Sequence, residues 1–470
     1  MLVLPLCIDG TSDPDLWWHL RTGQWIADHM AIPHTELFSY TAAGTPWVAH
    51  EWLSELIFWV VYHGLGLTVL AVLVGLVTWS GLLALAWLGR QRGAGGFAVG
   101  VVLLLGAKAM QPVTGARPQM FTFALLCWTL LLLQSHLSRG GRRIWLLVPV
   151  FLLWANLHAG FAVGLAILAV ALTGAALDAL WEHRRDRERI HRLATAAIAL
   201  ALSALVALIN PNGFDLYRRA VLGSTPAAHR LIQEWQPPDF TSWSMLPLAL
   251  LIIATVVSMV VNRHRLRPSH LLLTALGVAA SLLAVRNIAL GVALLSPTLA
   301  ELFPVPYRLP ARPLALSLAA VVAAAALVIT SVASVAATTQ TAALARAFPS
   351  CLLANLVEAE QPIRLWVPYG QSGYAIDAGW PRVHVYAYGE DTTLGSTVIE
   401  DYVRIASGET RSPRALDLLA ASHTNAVITP PGPLAMELAT AGWRTIAAAN
   451  DETLFGSADG IGRATVVCAG

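Results

Sequence analysis

Charge is the scarcest material in this sequence: charged residues make up 12% of the 470 positions, and Lys108 is the only lysine. A soluble globular chain carries about 25% charged residues, so the surface of several soluble domains cannot be built from this composition. Long stretches of alternating apolar and polar residues are also missing, which excludes a transmembrane β-barrel. There is no glycine-rich phosphate loop, no Gly-x-Ser-x-Gly elbow and no His-Glu-x-x-His helix. No soluble nucleotide-binding fold is visible, which argues against a cytosolic nucleotide-sugar or ATP substrate. A net charge of +2 offers nothing to nucleic acid. Cysteine is rare as well. Of the four, Cys7 and Cys127 sit in apolar segments, and their spacing fits no metal motif.

What the chain has is apolar length: 56% hydrophobic residues and a mean hydropathy of +0.61. Apolar runs lie near 66–89, 97–110, 118–137, 144–155, 160–181, 193–209, 243–261, 269–285, 288–302 and 313–336. Several are shorter than the ~20 residues of a full crossing, as happens where a helix is broken or its end lines a cavity. Residues 1–8 are apolar but too short to span, and they lack the basic flank and cleavage site of a signal peptide. They read as the outer end of a first membrane helix that begins before this sequence.

Arginine punctuates the runs. The clusters Arg90/Arg92, Arg139/Arg142/Arg143, the arginines of 184–192, Arg263/Arg265/Arg267 and Arg308/Arg312 fall at every second connection. By the positive-inside rule these five connections are cytoplasmic and the alternate ones face outward. One alternation then uses all ten runs, provided that 51–63 is an interfacial helix and not a crossing. The outward connections are 9–65, 111–117, 156–159, 210–242 and 286–287, with the tail after about 337.

The chain therefore divides into a mainly α, polytopic transmembrane helical bundle over 1–338, carrying the outer juxtamembrane segment 9–65, and a small extracytoplasmic α/β domain over 339–470. Period and composition in the tail predict strands at 364–368, 383–388 and 425–429. They predict helices at 396–406, 413–421 and 433–441, and a final strand pair at 443–448 and 453–456. Cys351 and Cys468 stand near the two ends of this domain, in the compartment the topology makes oxidising. A bridge between them and two separate thiols both fit the sequence.

The candidate chemistry lies in the outward connections. Asp13-Pro14-Asp15 opens a helix bearing Trp17, Trp18, His19 and Arg21. Either aspartate fits an N-cap and the tryptophans fit an interfacial belt, so a capped juxtamembrane helix is as good a reading as a general base beside an anion-binding His19 or Arg21. His50-Glu51 starts the next helix, where Glu51 serves either the helix dipole or a phosphate- or hydroxyl-binding site. Arg117 is either a snorkelling side chain or a phosphate contact. Asn156 and His158 interrupt two apolar runs, and Arg286-Asn287 interrupt two more; polar groups at such depth point to a cavity. Asn210-Pro211-Asn212-Gly213 is a turn first. Glu234-Trp235 is an acid beside an aromatic platform for a sugar, or a plain loop.

These strings together resemble bacterial membrane proteins of the GT-C glycosyltransferase superfamily. The resemblance rests on Asp13-Pro14-Asp15-Leu16-Trp17-Trp18-His19-Leu20, Ile32-Pro33-His34, Phe38-Ser39-Tyr40-Thr41 and Pro46-Trp47-Val48-Ala49-His50-Glu51-Trp52-Leu53. It continues through Ala116-Arg117-Pro118-Gln119, Asn156-Leu157-His158-Ala159-Gly160, Asn210-Pro211-Asn212-Gly213 and Arg286-Asn287, covering most of 10–300. It implies a cell-membrane enzyme that moves a sugar, with inversion, from a polyprenyl-phosphate donor to an envelope glycan, lipid or protein acceptor at the outer leaflet. Asp13 or Asp15 would be the base. Arg117, His158 and Arg286 would hold the departing phosphate, in some relatives with a divalent metal, Mg or Mn. Two rivals share the same composition: a flippase or transporter for lipid-linked sugar, and a non-catalytic membrane assembly subunit whose tail does the work. No half-to-half symmetry of the transporter kind is visible.

Overall fold

The computed structural model describes residues 3–8, 13–182, 186–222, 225–303, 326–337, 348–359, 361–411, 413–457 and 468. The expected basic cluster Arg308/Arg312, the first part of the run 313–336 and Arg184 and Arg185 lie outside the described residues. Two compact units emerge. One contains Met1–Gly10, Leu67–Val221 and Gln233–Ala336; the other contains Thr11–Gly66, Leu222–Ile232 and Ala337–Gly470.

The first unit is a helical bundle. Among the described residues, seven helices are long and apolar enough to cross a membrane: Leu67–Gln91, Gly96–Val113, Gln119–Arg139, Phe161–Trp181, Arg187–Val206, Trp243–Val261 and Val285–Leu302. Shorter helices cover Leu147–Leu157, Pro268–Leu283 and Ala326–Ala337. The chain is a multi-pass membrane protein. Its outward surface says so independently: Leu246, Leu250, Ile253, Val257 and Val260 follow one another at helical spacing and are all exposed. A stripe of that kind would aggregate in water and belongs to lipid.

Six helix ends of this unit meet around one cavity. They are the C-terminal ends of Leu67–Gln91, Gln119–Arg139, Phe161–Trp181 and Val285–Leu302, and the starts of Arg187–Val206 and Pro268–Leu283. Arg92, Arg189, Arg265 and Arg267 line it, so arginines from three alternate connections gather at one end of the bundle.

The second unit is built on a five-stranded sheet of order β2-β1-β3-β5-β4, with β1 Ile363–Trp366, β2 Val383–Val385, β3 Ala426–Thr429, β4 Arg444–Ala449 and β5 Glu452–Gly456. β2, β1 and β3 run parallel, and β5 and β4 add an antiparallel hairpin. β3 is buried at every position, as a central strand covered on both faces must be. The strands and the helices Asp391–Ala406, Ala415–Ala421 and Pro433–Thr440 lie where the sequence predicts them, with boundaries moved by a few residues. The helices Ser350–Val357 and Tyr369–Gly379 carry no sequence signal of comparable strength.

The segment after the first helix, Leu16–His29, closes the open edge of this sheet. Val385 donates its N–H to the Phe38 carbonyl (3.0 Å), and Tyr40 donates to the Val385 carbonyl (3.2 Å), so a chain segment more than 300 residues distant pairs with β2. Glu36 pins the segment. One carboxylate oxygen accepts from the backbone N–H groups of Phe38 and Ser39, both at 2.7 Å, and the other from the Tyr388 hydroxyl at 2.8 Å. These bonds favour the anion, yet burial outweighs them and pushes the carboxyl up to about 7.

Two expectations follow for the full chain in detergent. The folded state holds the Glu36 proton more tightly than the unfolded chain, whose value is about 4.5. Stability should be highest below that value and fall by up to about 3 kcal/mol as the pH rises towards about 7. Melting curves taken from pH 4 to 8 check the slope, and Glu36→Gln should flatten it; an unchanged slope in the variant would assign it elsewhere. The second concerns Cys351 and Cys468, which are disulfide-bonded with Cα atoms 5.8 Å apart across a separation of 117 residues. A loop of that length corresponds to an upper figure of about 4–5 kcal/mol in the chain-entropy model. Cys351→Ser should melt earlier than wild type and lose the sensitivity to reductant that wild type shows.

Candidate functional site

The polar residues singled out in the sequence form two constellations, one in each unit. In the sheet-bearing unit the first lies between the helices Leu16–His29 and Trp52–Leu65. His19 and Gly23 are four residues apart on one face of the first helix; Glu51 and Glu55 have the same spacing at the start of the second. Gly23 permits the approach. A Cβ there would overlap the Glu55 carbonyl oxygen and lie 2.6 Å from its carbon, so any larger residue drives the helices apart. With the backbones this close, His19 Nδ1 stands 3.1 Å from Glu55 Oε1 and 3.5 Å from Glu51 Oε2. His50 Nε2 lies 3.4 Å from Glu51 Oε1, and its Nδ1 lies 3.9 Å from Glu390 Oε2. Glu51, Glu55 and Glu390 are all buried.

Three buried carboxylates, Glu51, Glu55 and Glu390, thus gather around two imidazoles. Burial first, then the charges of Glu51 and Glu390, hold the Glu55 carboxyl well above the usual carboxylate range. Its Oε2 is buried with no hydrogen-bond partner among the described residues. His19, Glu51 and Glu55 each offer a ligand atom, and these atoms lie within 4.8 Å of one another. Two carboxylates and an imidazole with an unsatisfied oxygen fit a divalent cation, and the imidazole favours manganese over magnesium.

The predicted bases take different positions. Asp13 is buried, and its Oδ1 accepts the Asp15 N–H (3.0 Å), closing an Asx turn before the helix. Asp15 occupies the N-cap position without a side-chain capping bond, and its Oδ1 accepts the Trp18 indole N–H at 3.3 Å. Gly389 makes room for both partners: a Cβ there would run into the Asp15 carboxylate and lie 2.8 Å from the Trp18 nitrogen. Arg21 turns to the helix Tyr369–Gly379. It donates to the Asp377 carbonyl, stands 3.7 Å from that residue's carboxylate and donates to Gln24 at 2.7 Å. Burial raises the Asp377 carboxyl to about 6 although Arg21 opposes the shift.

The second constellation belongs to the bundle. Arg117 and Arg286, from connections 169 residues apart in the numbering, converge on one carboxylate. Arg117 Nη1 is 2.7 Å from Glu234 Oε2, and Arg286 Nη1 is 3.6 Å from Glu234 Oε1. The Arg286 guanidinium lies 3.9 Å above the Trp235 ring. All three charged side chains keep about a quarter of their surface, so the group is open to a ligand. Asn156 and His158 serve their own backbone and neighbours. Asn156 donates to the carbonyls of Leu152 and Ile209 at 2.8 and 3.1 Å. His158 Nδ1 accepts the Gly160 N–H at 2.9 Å and pairs at 2.8 Å with the Thr122 hydroxyl, which itself accepts from the Trp154 indole. Asn287 is the N-cap residue of Ile288–Leu302 and makes no side-chain cap bond.

Glu55 and Glu390 are absent from the sequence-derived set. The i, i+4 spacing of Glu51 and Glu55 on an otherwise apolar helix is a signal that could have found the first. Glu390 follows a strand more than 300 residues away and has no local signal.

No protein-family model and no curated protein sequence matches this chain. Solved structures do. The archaeal oligosaccharyltransferase AglB from Archaeoglobus fulgidus, in complex with an inhibitory peptide and a dolichol-phosphate, superposes with a TM-score of 0.55 at 11% identity. The match covers 89% of this chain and 65% of that one, so the chain spans just under two thirds of the archaeal protein's length. The arabinofuranosyltransferase AftD from Mycobacteria gives a TM-score of 0.48 at 15% identity, covering 97% of this chain and 39% of that one. Both neighbours are GT-C superfamily membrane glycosyltransferases. The fold, a helical membrane bundle with a small sheet near the C-terminus, is thus the one expected from the sequence.

Cation binding by the first constellation is directly measurable. After treatment with a chelator, the purified chain should gain thermal stability on adding Mn²⁺, by about 2.7 kcal/mol at a hundredfold excess over the dissociation constant. Glu55→Gln should abolish that gain. A wild-type melting curve indifferent to Mn²⁺ would leave the carboxylates as a proton-sharing cluster.

Proposed function

We propose that this chain is a membrane glycosyltransferase that moves a sugar from a polyprenyl-phosphate donor to an acceptor hydroxyl of the cell envelope on the extracytoplasmic side. The observation that carries the reading is the convergence of Arg117 and Arg286 on the single carboxylate Glu234, with Trp235 stacked under Arg286. Guanidiniums bind phosphate oxygens in the same geometry as they bind a carboxylate, and the indole gives a sugar ring a face to rest on. The GT-C fold supports the reading, because an archaeal protein of the same fold is seen with a dolichol-phosphate. The Cys351–Cys468 disulfide supports an oxidising compartment for the sheet-bearing unit, and the arginine-rich connections support the opposite side as cytoplasmic.

The chemistry is a single displacement. An acceptor oxygen attacks the anomeric carbon while its proton passes to a carboxylate, and the bond from that carbon to the donor's phosphate oxygen breaks. The electron pair leaves on the lipid phosphate, whose charge Arg117 and Arg286 offset. Inversion at the anomeric carbon follows. Asp15 suits the base better than Asp13: it is half-buried, whereas Asp13 is buried and accepts the N–H that closes its turn. A divalent cation would be held by His19, Glu51 and Glu55, and would supply positive charge to an oxygen ligand at that place. These three residues hold one another in place and keep water from the carboxylates by burial.

Transfer of radiolabelled sugar from a synthetic polyprenyl-phosphate donor to an envelope extract, catalysed by the full chain in proteoliposomes, tests the reading. Asp15→Asn should insert normally and lose roughly 10²-fold or more in rate. Arg286→Ala should lose a comparable factor. Full activity in Asp13→Asn, Asp15→Asn and the double variant would remove the aspartates from the mechanism. Donor movement across the bilayer without any transferred sugar would favour a flippase.

A further inference from the structure

The cavity where six helix ends of the bundle meet has a volume of about 540 Å³, and the proposed transfer chemistry makes no use of it. Its wall combines arginines with a short apolar stretch formed by Leu137, Ala175 and Leu193. Four arginines and two carboxylates, Asp178 and Glu301, stand on the cavity wall. Glu301 lies 3.7 Å from Arg92 and also pairs with His270 at 3.1 Å. Glu182 is divided between Arg189 and Arg267, each at 3.1 Å. Asp178, the other acid on the wall, accepts from the backbone N–H and hydroxyl of Ser269, at 2.9 and 2.6 Å. Arg265 is exposed at the rim and has no ion-pair partner among the described residues.

We propose that this cavity binds a phosphate-bearing anion, the headgroup of an anionic membrane lipid. Four guanidiniums around a space the size of a small-ligand pocket give the charge and the volume for one phosphate with its glycerol. The apolar wall gives the first acyl methylenes a surface to follow. A purely structural network would have matched its charges, as the Arg92–Glu301–His270 group does. This one leaves Arg265 exposed at the mouth with no ion pair among the described residues, beside the half-exposed Arg267. The cavity also sits where the arginine-rich connections emerge, the end at which an anionic leaflet attracts basic pockets between helices.

The test uses the purified full chain in neutral detergent and three probes: short-chain phosphatidylglycerol, phosphatidylcholine with the same acyl chains, and free glycerol 3-phosphate. Binding is read by native mass spectrometry and by thermal shift. Phosphatidylglycerol should bind saturably, at least about tenfold tighter than phosphatidylcholine, and the affinity should fall with salt. The double variant Arg265→Ala/Arg267→Ala alters two exposed side chains and should weaken that binding about tenfold or more, at roughly a factor of five per arginine. Equal affinity for glycerol 3-phosphate would keep the phosphate site and assign it to a soluble ligand. Saturable binding that ignores the double variant, a phosphatidylcholine affinity equal to that of phosphatidylglycerol, or no binding by either phosphate probe would each overturn the proposal.

Discussion

A hydrocarbon solvent hydrates no charge, and nearly every feature of the bundle follows from that constraint. With charge at 12% of its residues, the chain concentrates what it has at helix ends and in connections. Arg117, Glu234 and Arg286 come together from three connections, while Arg92, Glu301, His270 and Asp178 come together where six helices end. Between these places the large exposed side chains are mostly leucine, isoleucine and valine. Several hydroxyls within the bundle bind locally: Thr78 bonds the Val74 carbonyl and Ser203 the Ala199 carbonyl, each one helical turn back.

In the sheet-bearing unit the scarce quantity is space for backbone, not solvent for charge. Two close approaches fix the candidate chemistry there. Gly23 lets the Glu55 backbone reach the His19 face, and Gly389 lets Asp15 and the Trp18 indole nest against the loop after β2. The resulting cluster stores unfavourable electrostatics. Glu55 is fully buried next to two other carboxylates, and the stability of the surrounding core has to offset that cost.

Much of this was legible in advance, and the failures have physical causes. The bundle could be read because apolar length and arginine alternation act through local composition. The sheet could be read because β1, β3 and β5 carry period-two and fully apolar patterns within a few residues of turns. Arg286 was visible as a charge interrupting apolar sequence, and Arg117 and Glu234 as charges in outward connections, though nothing local said that they share one contact. Asn156 was visible as a polar residue interrupting apolar runs, and it donates to the Leu152 and Ile209 carbonyls at a helix end. The edge pairing of Phe38–Tyr40 with Val385 was invisible, because three residues without alternation give no strand signal until the partner is known. Glu390 was invisible for a related reason. Its meaning comes from His50, which reaches it only through the tertiary fold.

That edge pairing sets a schedule for biosynthesis. The sheet-bearing unit is assembled from Thr11–Gly66, Leu222–Ile232 and Ala337–Gly470, so its first segment leaves the ribosome long before its strands exist. At ordinary elongation rates of about 5–20 residues per second, the His19–Glu55 helix pair waits roughly 15–60 seconds for the chain it will pack against. During that interval Trp17, Trp18, Phe38 and Trp47, all buried in the finished protein, have no partner from the tail. The bilayer interface, which accepts indole rings readily, is the natural place for them to wait. The tryptophans of the first segment thus have a use before the fold exists as well as after it.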